Sequence, residues 1–401
     1  VRLNAKSLYL CLLVEINAIE VKKASLHTQR IGLLGGGQLG RMIIQEAISY
    51  NIDIHVLDND PAAPCKNIAT TFQQGSLTDY DTVLAFGTDK DIITVEIENV
   101  NIEALETLEK QGKKVFPQPN VLRIIKDKGL QKQFYEQHHL PTAPFILVEN
   151  KAEIQKHVDF LPAANKLRTG GYDGKGVQIL QSAAEIEKGF DAPSLLEKFI
   201  PFSKELSVIV SRNEQHDVIA YPVVECEFNK QLNLVEFLFA PADVTADIET
   251  RAKTIAKDII EKLDMVGILA VEFFLLNNGE LLINEIAPRP HNSGHHTIEC
   301  NYTSQFEQHL RSILNLPLGS TEIVLPGVMI NLLGEKGYTG NAIYKGLEEA
   351  IQQKGVFFHL YGKKETKPFR KMGHITIALP DIEQAKTIAR NLLQEIKVIS
   401  D

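Results

Sequence analysis

The chain has 401 residues, with 51 acidic against 42 basic side chains and a formal net charge of −9. That length supports two or three domains with sizeable cores, and a 44% hydrophobic fraction is ordinary for a folded globular protein. An acidic chain without a long basic run argues against a nucleic-acid or membrane-surface role, but leaves room for a local basic pocket.

Residues 1–29 are expected to form an extension outside the core. An apolar run at 7–14 follows Arg2 and Lys6, but it is too short to span a bilayer. Glu15 interrupts it, and no small-residue cleavage site follows cleanly. The four cysteines (Cys11, Cys65, Cys226, Cys300) are far apart and lack CxxC spacing. Reduced, buried thiols and a cytoplasmic compartment are the expectation.

Residues 30–119 alternate strand and helix. Ile31-Gly32-Leu33-Leu34 reads as a buried strand, Gly35-Gly36-Gly37-Gln38-Leu39-Gly40 as a turn opening a helix to about 49. Further strands are expected at 53–57, 92–95 and 115–116, which implies a parallel α/β sheet. The glycine turn matches GxGxxG, and Asp58 stands near where a ribose-binding acid would sit. Alone, this points to a dinucleotide-dependent dehydrogenase. Its physical content is narrower: a tight turn and a helix N-terminus that favours an anion. A phosphate- or substrate-facing turn is therefore the preferred reading. Glu96 and Glu98, just past a strand end, lie where open α/β sheets place ligands.

Residues 120–325 change character to α+β, long enough for a two-lobed catalytic domain. A charged helix at 126–139 leads to the loop Leu140-Pro141-Thr142-Ala143-Pro144, then to a strand at 163–167. Between Lys166 and Gly176 stand four closely spaced glycines, Gly170, Gly171, Gly174 and Gly176, with Lys175 among them. An exposed turn needs neither so many glycines nor flanking cations, so a loop that folds over phosphates is expected. The segment Glu197-Lys198-Phe199-Ile200, with Glu205 beyond it, fits an interdomain strand offering main-chain groups to an adenine edge and a carboxylate to ribose. On its own such a segment is more often merely a strand with solvated charges, and the functional reading comes only from its neighbours.

A helix at 246–263 precedes two apolar strands around Asn278-Gly279, a strong hairpin signal. A two-residue turn there sets Glu272 directly opposite Glu285. Opposed like charges on an apolar hairpin are destabilising, and a divalent cation is the economical compensation, since Mg²⁺ is held by one or two carboxylates plus phosphate oxygens. Pro288 and Pro290 hold Arg289 extended, beside His291, Asn292 and Ser293, as an oxyanion clamp.

Residues 326–401 offer strands at 328–332, 356–360 and 374–378 and a helix from Asp381, too few to look independent. The one basic cluster, residues 362–371, is a candidate phosphate site.

Lys166 with the glycine loop, the 197–200 segment, and Glu272 with Asn284 and Glu285 occur in the order found in ATP-grasp ligases. More closely, GYDGKG at 171–176 and NEIAPRPHNSGH at 284–295 resemble the N5-carboxyaminoimidazole ribonucleotide synthetase family, as do GGGQLGRM at 35–42 and PFRKMGH at 368–374. The resemblance covers the chain from Ile31 to the C-terminal region. It implies a Rossmann-like pre-ATP-grasp parallel-sheet domain, a two-lobed ATP-grasp domain and a small β-rich C-terminal domain, with ATP and Mg²⁺ as cofactors. Lys128, Lys166, Gly171, Tyr172, Gly174, Lys175, Gly176, Glu197, Lys198, Phe199, Ile200 and Glu205 would bind ATP. Glu272 and Glu285 would hold Mg²⁺, with Asn284 alongside. Arg289, His291 and Asn292 would position bicarbonate and the carboxyphosphate made from it, with Lys175 and Asp173 of the loop completing the catalytic set.

Tyr172, Asp173 and Glu96 or Glu98 would face the aminoimidazole. Lys363 or Lys364, with Arg370 and Lys371, would grip the ribose 5′-phosphate, and Gln38 and Leu39 would line that pocket. The resemblance also implies a homodimer, and leaves open hand-off of product to a downstream mutase. Phe228 stands where some relatives carry a histidine, and no role is carried to it. The rival readings are a formate-dependent glycinamide ribonucleotide transformylase of the same superfamily and the dehydrogenase above.

Overall fold

A computed structural model describes residues 29–171, 176–229 and 234–401. Its first unit is a five-stranded parallel sheet of β1 (Ile31–Leu34), β2 (Ile54–Asp58), β3 (Thr71–Gln74), β4 (Ile92–Val95) and β5 (Lys114–Phe116), in the order β3-β2-β1-β4-β5. β1, β2 and β4 are buried along their whole length, as strands covered on both faces should be. β3, with the sequence Thr-Phe-Gln-Gln, is mostly exposed at the sheet edge and gave no apolar signal to read. The chain order reverses at β1, so the ligand crevice of such a sheet lies at the C-terminal ends of β1 and β4. Helix α1 (Gln38–Ser49) follows β1 and packs Met42, Ile43 and Ala47 onto the sheet.

The helix expected at 126–139 starts at Lys128; a separate helix, Pro119–Lys126, precedes it, and between the two stands Asp127. Its carboxylate caps α2 (Lys128–Gln137) by accepting from Gly129 N–H at 2.7 Å and Leu130 N–H at 3.2 Å. Arg168 pairs with the same carboxylate through Nε and Nη2, the latter at 2.7 Å, tying the helix start to the next lobe. That lobe is a four-stranded antiparallel sheet of β6 (Phe145–Val148), β7 (Ala163–Leu167), β8 (Val177–Leu180) and β9 (Ser194–Lys198), in the order β6-β9-β7-β8.

A larger antiparallel sheet contains β10 (Lys204–Arg212), β11 (Val218–Ala220), β12 (Val224–Asn229), β13 (Leu234–Ala240), β14 (Gly267–Leu275), β15 (Leu281–Ala287), β16 (Gly327–Leu333), β17 (Val356–Leu360) and β18 (Lys371–Ala378). Its order is β15-β14-β10-β12-β13-β16-β18-β17, with β11 on β10. Because β13 pairs with β16, the last region of the chain extends this sheet instead of starting another. Helix α3 (Ala246–Lys262) covers one face, packing Ala252, Ala256, Ile259 and Ile260 against Leu206, Val208, Leu269 and Val271. Helix α4 (Gln305–Ile313) joins the first sheet to the large one: Phe306, Leu310 and Ile313 share a core with Ile31, Ile43 and Ile54. Helix α5 (Ile382–Glu395) is capped by Asp381 and packs Ala385, Ala389 and Leu392 onto β16 and β18. Cys65, Cys226 and Cys300 are free and buried; Cys11 and all but the last residue of the extension expected at 1–29 lie outside the described residues.

Leu269 is fully buried under α3. Leu269→Ala should lower stability by about 2–5 kcal/mol, whereas Ile351→Ala, at a 61% exposed position, should stay within about 0.5 kcal/mol. Denaturant unfolding of both variants checks the packing.

Candidate active site

Between the four-stranded sheet and the large sheet lies a cleft of about 340 Å³. Lys166 on β7 and Glu197 on β9 face it from one side, Glu205 on β10 and Glu272 and Phe274 on β14 from the other. Glu205 is registered with Phe274, and Ser207 with Glu272, so alternation turns these residues to one face.

The hairpin that carries Glu272 differs from the expected one. Leu276 N–H donates to Glu280 C=O at 2.9 Å, and Leu275 pairs with Leu281. The loop is therefore three residues, Asn277-Asn278-Gly279, with Gly279 at φ 85°. A left-handed glycine after a turn is the usual way to close such a loop. This slips the register by one and removes the direct opposition of Glu272 and Glu285. A bulge then restores it: Phe273 pairs with Ile283 but Val271 with Ile286, so Asn284 and Glu285 together face Glu272. In a regular strand Asn284 and Glu285 would point to opposite faces; at the bulge both line the cleft.

Cations alternate with these acids. Lys128, at the start of α2, pairs with Glu285. Lys166 Nζ lies 2.8 Å from Glu197 Oε1 and donates to Asn284 Oδ1 at 3.2 Å. Burial, reinforced by Glu285 and Glu205, raises the Glu272 carboxyl well above the usual range. The Lys128 charge holds Glu285 well below it. Burial also pushes Glu205 up to about 7, against the pull of Lys166. The environments thus pull the two facing carboxyls apart, Glu272 up and Glu285 down.

His291 Nε2 is 3.7 Å from Glu272 Oε1. Its main chain is held twice by the buried Gln305 amide: His291 N–H donates to Oε1 at 2.9 Å, and its C=O accepts from Nε2 at 2.7 Å. The Asn292 side chain exchanges two hydrogen bonds with Asn331 of β16, at 2.9 and 3.0 Å. Arg289 is turned toward the first domain, with Nε 2.8 Å from Glu98 Oε1.

A second cluster gathers at the C-terminal ends of β1 and β4. Glu96 accepts from Gly37 N–H at 2.7 Å and Gly40 N–H at 3.1 Å, so the helix N-terminus is capped by the chain's own carboxylate. Asp58 accepts from Gly36 N–H at 2.6 Å, which commits the supposed ribose acid to bracing the glycine turn. Lys363 Nζ donates to Gln38 Oε1 at 3.0 Å and to the Lys371 carbonyl at 2.7 Å. Lys371 also lines the cleft, so the two clusters adjoin. Arg370 donates to the Glu365 carbonyl at 2.8 Å. Leu39 is packed in the core, and Lys364 is exposed.

Lys128, Lys166, Gly171, Glu197, Lys198, Phe199, Ile200, Glu205, Glu272, Asn284, Glu285, His291, Asn292 and Lys371 all line the one cleft, as does Phe228. Gly176, at φ 80°, is the last glycine of its loop and precedes β8. Tyr172, Asp173, Gly174 and Lys175 lie outside the described residues.

Three family models match in succession: a ribonucleotide synthetase preATP-grasp domain over residues 28–126, an ATP-grasp domain over 133–306, and a phosphoribosylaminoimidazole carboxylase C-terminal domain over 327–387. The chain is 35% identical over 394 residues to the N5-carboxyaminoimidazole ribonucleotide synthase of Synechococcus elongatus, covering 96% of this chain and 98% of the relative. The chain belongs to the N5-carboxyaminoimidazole ribonucleotide synthase family.

Among solved members of this ATP-grasp family, the synthetase of Thermotoga maritima superposes with a TM-score of 0.85 at 40% identity, covering 93% of this chain and all of that one. The Aspergillus clavatus synthase, solved with ADP and 5-aminoimidazole ribonucleotide, gives a TM-score of 0.83 at 32% identity, covering 92% of this chain and 98% of that one. The chain spans about two thirds of the length of the phosphoribosylaminoimidazole carboxylases it matches, 66% for that of Ogataea methanolica, to which it is 40% identical over 365 residues (87% of this chain).

Sequence reading missed Gln305, Asn331 and Lys132. The first two act from distant elements and leave no local trace, whereas Lys132 stands four residues after Lys128, on the same helix face. A Cβ at position 294 would lie 2.4 Å from Gln305 Oε1. Gly294→Ala should therefore displace the amide that holds His291, lowering turnover at least about tenfold with intact nucleotide binding. Unchanged kcat would show that the main-chain clamp on His291 is dispensable.

Proposed function

We propose that this chain uses ATP and bicarbonate to carboxylate the amine of 5-aminoimidazole ribonucleotide, giving N5-carboxyaminoimidazole ribonucleotide, ADP and phosphate. The observation that carries this reading is the bulge that turns Asn284 and Glu285 together toward Glu272, between Lys128 and Lys166 and just upstream of Arg289, His291 and Asn292. Family membership and the nucleotides named for the Aspergillus clavatus complex support it.

In the proposed reaction a bicarbonate oxygen attacks the γ-phosphorus, the bond to ADP breaks, and carboxyphosphate forms. The amine nitrogen then attacks the carboxyl carbon, the carbon–oxygen bond to phosphate breaks, and phosphate leaves as the nitrogen gives up its proton. Phosphoryl transfer asks the protein mainly for positioning and charge neutralisation. Lys128, Lys166 and the 171–176 loop would hold phosphates, with Glu197, Lys198, Phe199, Ile200 and Glu205 around the nucleoside. Arg289, His291 and Asn292 would hold bicarbonate, and the glycine loop, with Lys175, would close to exclude water from carboxyphosphate.

Glu272 and Glu285 fit a hard divalent cation: they are oxygen donors brought together, and an added positive charge would favour the ionised form of both. Among the described residues no group of three or more metal-ligating side chains gathers, so phosphate oxygens and water would complete the shell. Mg²⁺ held there would neutralise charge on the β- and γ-phosphates.

For the second substrate, Tyr172, Asp173 and Glu98 would face the aminoimidazole. Lys363, Arg370 and Lys371, with Gln38, would hold its phosphate. A homodimer remains part of this reading through the family resemblance, and a cytoplasmic setting through the widely spaced cysteines; hand-off of product to a mutase would be compatible with it. No described helix is long and apolar enough to cross a membrane.

ADP release should require Mg²⁺ and bicarbonate and rise on adding 5-aminoimidazole ribonucleotide. Stimulation by formate with glycinamide ribonucleotide instead would replace this reading with the transformylase one. Glu285→Gln should abolish turnover; near-normal activity would remove the metal role.

Burial, then Arg370, pushes Lys363 down to about 8. The ammonium exists below that pH and is lost above it, so the KM for the nucleotide substrate should rise as pH passes upward through about 8. In Lys363→Met the KM should be high and flat across the same range. A parallel pH dependence in both proteins would exclude Lys363 from the phosphate site.

A further inference from the structure

Glu197 is sealed in the cleft wall, its side chain 5% exposed, and carries a lysine on each oxygen. Lys166 approaches Oε1 at 2.8 Å from β7. Lys132 pairs with Oε2 from α2, its own side chain 4% exposed. Lys132 also donates to Thr142 Oγ1 at 2.5 Å, and Thr142 Oγ1 donates to the Ile283 carbonyl at 3.0 Å. This fixes the ammonium between α2 and the strand that leads into the bulge. Lys166 lines the cleft; Lys132 is not among the lining residues, so it is placed to touch Glu197 but not a ligand.

The charge count is unusual for a buried site. One carboxylate is shared by two ammoniums, leaving a net charge of about +1 in the wall. A single lysine would neutralise Glu197. With Lys166 alone, the pair would be neutral and the lysine's charge would be absorbed by its partner. With Lys132 ion-paired to the other oxygen, part of that carboxylate's charge is already balanced. Lys166 can then direct its positive charge, and an N–H beyond those given to Glu197 and Asn284, into the cleft. Burial pushes Lys132 itself down to about 8, against the pull of Glu197.

We propose that Lys132 is a positioning residue that sets the charge of the nucleotide cleft: by taking one oxygen of Glu197 it frees Lys166 to hold phosphate. The inference rests on the ATP-binding reading above and adds a residue which that reading does not include.

The test is calorimetric binding of ADP and of adenosine to the full chain and its variants. Lys132→Met and Lys132→Gln should each weaken ADP by about tenfold and leave adenosine within about twofold, because only the phosphates meet the changed charge. Glutamine keeps a hydrogen-bond donor near Glu197, so its failure to rescue separates charge from hydrogen bonding. Lys132→Arg should retain most ADP affinity. ADP affinity at the wild-type level in the Met or Gln variant overturns the proposal, as does an equal loss for adenosine, which is what a packing defect would give. Should the Met variant not fold, the Gln and Arg pair decides it alone. Wild-type protein that binds no ADP at all would instead overturn the nucleotide reading itself.

Discussion

Like charges crowded into a shielded cleft are the constraint around which this site is arranged. Glu272, Glu285, Glu205 and Glu197 all face one small volume, and four carboxylates cannot stay ionised there without nearby cations. They meet it in three ways. Glu197 is bracketed by two lysines, Glu285 takes Lys128, and Glu205 and Glu272 have their carboxyls raised by burial. Of the facing pair, burial raises the Glu272 carboxyl while Lys128 holds Glu285 down. Charge and backbone geometry meet at the bulge, since without it Asn284 or Glu285 would face away from the cleft.

The first domain takes part differently. Its glycine turn resembles a dinucleotide-binding loop in sequence, but its donors are already engaged by Glu96 and Asp58. The turn is self-satisfied; the domain offers Gln38, at the start of α1, and the Glu98 carboxylate beyond β4, at the sheet's switch point. Both reach residues of later segments, Lys363 and Arg289 respectively. Helix α4 locks that arrangement twice: its apolar face buries against the first sheet, and Gln305 holds the main chain of His291. Packing between domains and positioning within the site are therefore carried by the same nine-residue helix.

Elements with one clean period or a full apolar run could be read directly: β1, β4, α3 and β17 lie where the sequence placed them. The features that escaped were set by non-local choices. The edge strand β3 has no apolar signature, and Asp127, by capping α2, sets that helix's start two residues later than expected. The hairpin loop was misjudged by one residue because Asn277-Asn278-Gly279 contains the two-residue signal within a three-residue turn. A bulge is invisible to pattern reading, because alternation predicts only which residues share a face in regular pairing. The cleft residues could be gathered by motif, but Gln305, Asn331 and Lys132 contact the site through partners distant in sequence.

The central claim is that bicarbonate is activated by accepting the γ-phosphoryl group, so that one of its oxygens ends on phosphate. Turnover of ¹⁸O-labelled bicarbonate with ATP and 5-aminoimidazole ribonucleotide, followed by mass analysis of the released phosphate, tests it directly. One ¹⁸O atom in each phosphate formed is the outcome this account requires. Phosphate carrying none, with carboxylated product formed at the normal rate, would contradict it.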